Sequence, residues 1–267
     1  MDPTPPDVNV QPVEADGVSA EWIAAPGASD QATVLWLHGG GYTIGSLTTH
    51  RTMISRISRA SGARALAVDY RLGPEQPFPA ALEDAMTAYR WLIAYGVDPK
   101  RLVVGGDSAG GGLAIAALVA LRDAGDPLPA AAVCVSPWTD LELTGESIET
   151  NADAEYLVPP ERLRLFCQSY LAGADARDPR ASPYLADLSQ LPPTLIQVGT
   201  AETLLDDSKR IAAKAKGDGV DVTLEVWDEM IHHWTIFAGM LPEGQQAIDR
   251  IGEFVREQIA PARANRP

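Results

Sequence analysis

Cysteine is almost missing from this sequence. The two present, Cys134 in "AAAVCVS" and Cys167 in "RLRLFCQSYL", lack the spacing of a metal site or a redox pair, so they are expected to be buried thiols. Histidine is also scarce. Only four occur, His38, His50, His232 and His233, and any mechanism that needs an imidazole must choose among them. No apolar run reaches the roughly 18 residues needed to cross a bilayer. The opening "MDPTPPDVNVQP" holds neither a basic residue nor an apolar stretch, so no secretory leader is expected and the protein is expected to be soluble and cytoplasmic. Basic residues are outnumbered 21 to 36, a net charge of -15. That balance disfavours nucleic acid and anionic membrane surfaces as partners, and strongly anionic substrates as well. Internal repeats are absent, and the one biased tract is the proline-rich first dozen residues.

At 267 residues and 46% hydrophobic content, the chain can bury a substantial core. Short apolar runs alternate with helical patterns. Strands are predicted at 32–38, 63–70, 101–106, 130–136, 194–199 and 222–227, the last with one wetter face. Helices are predicted at 48–62, 79–96, 109–125 and 204–217. A final helix carries Ile248, Ile251, Val255 and Ile259 on one side. Strands separated by helices imply a parallel, doubly wound sheet. Segments 8–14 and 18–25 are close enough to pair antiparallel at one edge, making eight strands. The stretch 137–190 interrupts the alternation with a long excursion at a strand's end, the kind of insertion that covers a site.

Ligands bind beyond the carboxyl ends of the strands in such sheets, and each motif falls just after a strand. "GDSAG" places Gly106, Ser108 and Gly110 in the pattern G-x-S-x-G between a strand and a helix. The turn is so tight that either glycine's replacement would clash, and it holds a serine hydroxyl at its tip before a helix N-terminus. A phosphate loop would require a lysine that is not there, and a dinucleotide fingerprint would follow the first strand. Ser108 is therefore the expected nucleophile. Upstream, "HGGG" ends an earlier strand with glycines that let main-chain amides face a developing oxyanion. Gly40 and Gly41, with the amide of Ala109, are the expected donors, and His38 is expected to brace their loop. The base must come from the loop after the last strand, where both His232 and His233 fit the order serine, acid, histidine along the chain.

Three acids occur in "VGTAETLLDDS". Thr203 and Asp206 fit a helix-capping box, and Asp206 and Asp207 fall in a first helical turn that favours negative charge. Those placements account for both aspartates structurally. Glu202, on the loop before the helix, has no such account and is the expected acid partner of the imidazole.

The blocks "HGGGYTIGS", "VDYRLGPEQPFPAALEDA", "GDSAGG", "SPWTDL" and "LPPTLIQVG", in that order, resemble the bacterial hormone-sensitive-lipase-like esterases of the α/β-hydrolase fold, over roughly residues 32–258. The resemblance implies hydrolysis of short-chain acyl esters without cofactor or metal, on a small-molecule ester substrate. It selects His232, which follows "M-x", and aligns Glu202 with the family's catalytic acid. It also points to a homodimer through the last strand's edge. Two alternatives keep the same pocket: an aryl-amide amidase or deacetylase, and a non-catalytic small-molecule binder. Gly73 and Gln76 stand where the family has alanine and histidine. About thirty residues precede the third strand, too few for the family's N-terminal cap helices. A single domain is thus expected, with a reduced cap made mostly by 137–190 and a more open pocket.

Overall fold

The computed structural model describes residues 3–259. Its sheet has eight strands: β1 (Asn9–Ala15), β2 (Val18–Ala24), β3 (Ser29–Leu37), β4 (Ala63–Val68), β5 (Leu102–Asp107), β6 (Ala131–Val135), β7 (Thr194–Gly199) and β8 (Val222–Trp227). Their order across the sheet is β1-β2-β4-β3-β5-β6-β7-β8. The predicted edge pair forms: β1 runs antiparallel to β2, with Asn9 opposite Ala24, and β2 antiparallel to β4. From β4 to β8 every pairing is parallel. This is the α/β-hydrolase architecture expected from the motifs.

Among the described residues there are seven α-helices: α1 (Leu47–Ser61), α2 (Ala80–Ala94), α3 (Ala109–Ala124), α4 (Ser147–Thr150), α5 (Pro160–Leu171), α6 (Leu205–Gly217) and α7 (Pro242–Ile259). Alternation along the strands decides which face each helix covers. Leu35, Leu37, Leu66, Val68, Leu102 and Val104 pack with α2 and α3 on one side. Val34, Trp36, Ala65, Ala67 and Val103 pack with α1 and α7 on the other. α6 joins the first side through Ile211, Ala212 and Ala215, which meet Ile196 and Val222. The four isoleucine and valine positions singled out on α7 are all buried. The signals that close α1 also hold, since Gly62 caps it in the left-handed region at φ 67°.

Two expectations fail. The capping box at Thr203 and Asp206 does not form. α6 has Leu204 at its N-cap, with no side-chain cap bond. The Thr203 hydroxyl instead donates to the Val158 carbonyl at 3.0 Å, so a tertiary partner outcompetes the local one. β8 also lacks a single wet face: Thr223 and Val226, on opposite faces, are both exposed, because this strand ends the sheet and is only partly covered. Both cysteines are buried, as predicted, and burial pushes each thiol up to about 12.

Candidate active site

Four strand ends supply the site. Ser108 follows β5 at the sheet's centre. It holds φ 54° and ψ -122°, a conformation L-residues rarely adopt. Its amide donates to the Val135 carbonyl at 2.8 Å and its carbonyl accepts from Trp138, so the strained turn is tied to β6 and the segment after it. The glycines are required by close approach. A Cβ on Gly106 would lie 2.3 Å from the Gly110 carbonyl oxygen, and one on Gly110 would lie 2.0 Å from that of Leu37.

His232, beyond β8, brings its Nε2 to 2.9 Å from Ser108 Oγ. Its Nδ1 lies 2.8 Å from Glu202 Oε2. Glu202 is fully buried, and its other oxygen, Oε1, accepts from Ser136 Oγ at 2.9 Å and the Gly199 amide at 2.6 Å. An ionised carboxylate only accepts, so His232 Nδ1 carries the proton and Nε2 is free to accept from the serine. Burial works against a charged ring. The hydrogen bond and charge of Glu202, joined by the charges of Glu155 and Asp107, outweigh it and raise the His232 pKa above its ordinary 6.5. Such a chain can draw a proton from the hydroxyl as it attacks and stabilise the imidazolium that forms.

The two aspartates bind elsewhere. Asp206 Oδ2 accepts from the Ser147 amide at 2.9 Å. Asp207 Oδ2 accepts from the amides of Thr139 and Asp140 at 2.7 and 2.9 Å. Both anchor the insertion that follows β6.

The glycine loop after β3 faces the serine. Gly40 and Gly41 have φ of 123° and 60°, and their amides donate to no acceptor among the described residues. Ala109 is the first residue of α3, so its amide has no acceptor within the helix. His38 sits beneath this loop. Its Nδ1 lies 2.7 Å from the Gly39 carbonyl, and its ring stacks on Tyr70 at 4.4 Å. Burial and the neighbouring His50 lower its pKa to about 4.

A second cluster lies behind the serine, and only its histidines were singled out in the sequence. Asp107 is fully buried and accepts from Trp36 Nε1 at 2.9 Å. His50 Nε2 and His233 Nε2 lie 3.2 and 3.3 Å from its Oδ2. Those three residues are the one group of metal-ligand type among the described residues, with ligand atoms within 4.8 Å of one another. Burial outweighs Asp107's charge at His233 and lowers its pKa to about 4, whereas the Asp107 pairing overcomes burial at His50 and raises it. Thus all four histidines converge on one site. Ser136 also escaped the sequence reading. It bridges the His233 amide to Glu202, and only its place at the end of a strand beside β7 marked it.

The cavity above Ser108 holds about 230 Å³. Gly39, Gly40, Gly41, His50, His232 and His233 line one part of it, and Leu157, Val158, Arg162 and Phe166 from the insertion line another. No described helix is long and apolar enough to cross a membrane.

Comparison with known proteins shows the family. A family model of the α/β hydrolase fold matches residues 34–236. An acetyl-hydrolase of Streptomyces hygroscopicus is 51% identical over 89% of this chain and 79% of its own length. An esterase of Acinetobacter venetianus is 36% identical over 94% and 83%. Among solved structures, an esterase from the bacterial hormone-sensitive lipase family superposes with a TM-score of 0.96 at 57% identity, covering 97% of this chain and 87% of that one. The chain belongs to the bacterial hormone-sensitive-lipase family of α/β-hydrolase-fold esterases.

Proposed function

We propose that this carboxylesterase cleaves short-chain acyl esters through an acyl-enzyme formed on Ser108. Ser108 Oγ attacks the ester carbonyl while His232 Nε2 takes its proton, and Glu202 steadies the ring and its charge. The amides of Gly40, Gly41 and Ala109 receive the negative charge on the carbonyl oxygen. His232 then passes its proton to the departing alcohol. Water, deprotonated by the same ring, releases the acid and restores the serine. The single observation that carries this reading is the unbroken chain from Ser108 Oγ through His232 to Glu202, with contacts of 2.9 and 2.8 Å.

Two features support short acyl groups. The cavity of about 230 Å³ is below the roughly 300–1,000 Å³ of sites for drug-sized ligands. A relative with half of its aligned residues in common carries the name acetyl-hydrolase. The insertion 137–190 serves as the cap, with Leu157, Val158 and Phe166 excluding water from the acyl group. We place the enzyme in the cytoplasm, acting on a small-molecule ester, and assign its dimer contact to the edge of β8, where Val226 is 43% exposed.

The test is a series of p-nitrophenyl esters from acetate to decanoate beside the matching anilides, together with organophosphate labelling. The expected result is a maximum at acetate to butyrate, little anilide cleavage, and a label on Ser108 that disappears in Ser108→Ala. Binding of esters without turnover, or a preference for anilides, would replace this reading with one of its alternatives.

A further inference from the structure

Glu155 is a carboxylate with no place in the reaction just described, yet it is almost wholly buried, at 2% exposure. It lies in the insertion between α4 and α5, far in sequence from both the serine and the histidine. Its Oε1 accepts from the amides of Leu157 at 2.6 Å and Val158 at 3.2 Å. Its Oε2 accepts from the main-chain amide of His232 at 2.9 Å. Burying a carboxylate is costly unless it is fully hydrogen-bonded, and three amide donors meet that requirement here.

The same stretch of the insertion grips the loop that carries the acid. Asn151 Nδ2 donates to the carbonyls of Thr200 and Glu202 at 3.0 and 2.9 Å. Ser147 Oγ donates to the Thr203 carbonyl at 2.6 Å, and the Thr203 hydroxyl returns a bond to the Val158 carbonyl. Residues 147–158 therefore bind both the acid's loop and the histidine's. The loops after β7 and β8 gain from this a common support that neither strand supplies.

We propose that Glu155 is a positioning residue: it holds the main chain at His232 while Glu202 holds the ring, so the insertion itself aims the imidazole at Ser108. This rests on the ester-hydrolase reading of the site. The insertion then has two tasks, walling the acyl cavity through Leu157 and Val158 and setting the base through the carboxylate that orders those same two residues.

Electrostatics add a readout that packing alone would not move. The titratable groups facing His232 are Glu202 after β7, Asp107 of β5, Glu155 from the insertion and His233 beside it, with His50 of α1 behind Asp107. Of these Glu155 alone is contributed by the insertion. Its negative charge favours the imidazolium, so removing it lowers the pH at which the ring gains its proton.

The experiment compares the wild-type chain with Glu155→Gln, which keeps the volume, Glu155→Asp, which keeps the charge, and Tyr156→Ala at the exposed neighbouring position as a control. Two measurements are made: pH profiles of kcat and KM on p-nitrophenyl acetate, and hydrogen exchange of the His232 amide without substrate. In Glu155→Gln, kcat is expected to fall about 10- to 100-fold with a smaller change in KM, the size expected for a misaimed catalytic group. The acid limb should move to lower pH, and the His232 amide should exchange about tenfold faster or more. Glu155→Asp should restore most of the limb's position, and Tyr156→Ala should match the wild type. Folded Glu155→Gln protein with unchanged His232 exchange and an unmoved limb overturns the proposal. A wild-type protein that turns over no ester speaks against the hydrolase reading instead, because amide exchange still tests Glu155 in that case.

Discussion

Replacing Glu202 with glutamine changes one oxygen to an amide nitrogen and leaves the shape intact, yet the site has no orientation that tolerates it. Both carboxylate oxygens accept: Oε2 from His232 Nδ1, Oε1 from Ser136 Oγ and the Gly199 amide. If the new amide nitrogen faces His232, the ring must turn its lone pair to Nδ1 and carry its proton on Nε2, where it can no longer accept from Ser108. If the nitrogen faces the other way, two donors meet at the Gly199 amide within a fully buried site. The first outcome removes the base, and loss of the correct tautomer in a serine triad lowers kcat by about 10⁴-fold, or roughly 5.5 kcal/mol of transition-state stabilisation. The second leaves buried donors unpaired at a cost of about 1–3 kcal/mol in stability. Asp206→Asn supplies the contrast. It weakens the bond to the Ser147 amide and a favourable helix-end charge, together about 1 kcal/mol of stability, and leaves the imidazole untouched. The assay is steady-state hydrolysis of p-nitrophenyl acetate beside thermal unfolding. Glu202→Gln should lose between 10³- and 10⁴-fold in kcat, while Asp206→Asn stays within about threefold with a lower Tm. A Glu202→Gln enzyme within tenfold of wild type, or an Asp206→Asn enzyme as crippled as that, would falsify the assignment of the acid.

Two further outcomes follow from the same geometry. His232 must be neutral to accept the serine proton and its pKa is raised, so kcat/KM should fall as pH drops through a midpoint above 6.5; a midpoint near 4 would implicate His233 or His38, whose pKa values are lowered to about 4. Gly41→Ala should cost about 10²–10³-fold in kcat, because residue 41 sits at φ 60° and a Cβ there would lie 2.1 Å from the Phe166 ring; unchanged turnover in the folded variant would remove Gly41 from the oxyanion donors.

Much of the molecule was legible in its residues because the signals were local. β7 and β8 have the predicted bounds, Thr194–Gly199 and Val222–Trp227, since apolar runs between turn residues read the same in isolation as in the sheet. "GDSAG" announced its strained turn because that turn leaves room only for glycine on either side. The capping box at Thr203 misled because its hydroxyl had a better partner in Val158, 45 positions away and invisible to a local pattern. Ser136 and Glu155 were missed for the same reason. A serine after a strand and an acid in an irregular stretch carry no signal until the chain brings them to Glu202 and His232.

Sequence by itself determined the fold class, and it singled out the proposed nucleophile, the glycine loop and the short set of residues from which the proposed base and acid are drawn. It could do so because strand period, tight turns and helix ends depend on neighbours a few positions apart. Tertiary structure alone decided that Thr203 turns from its cap to Val158, what Asp206 and Asp207 hold, and that an inserted segment grips both loops. Those outcomes depend on distances between residues tens of positions apart, which are set only when the sheet assembles.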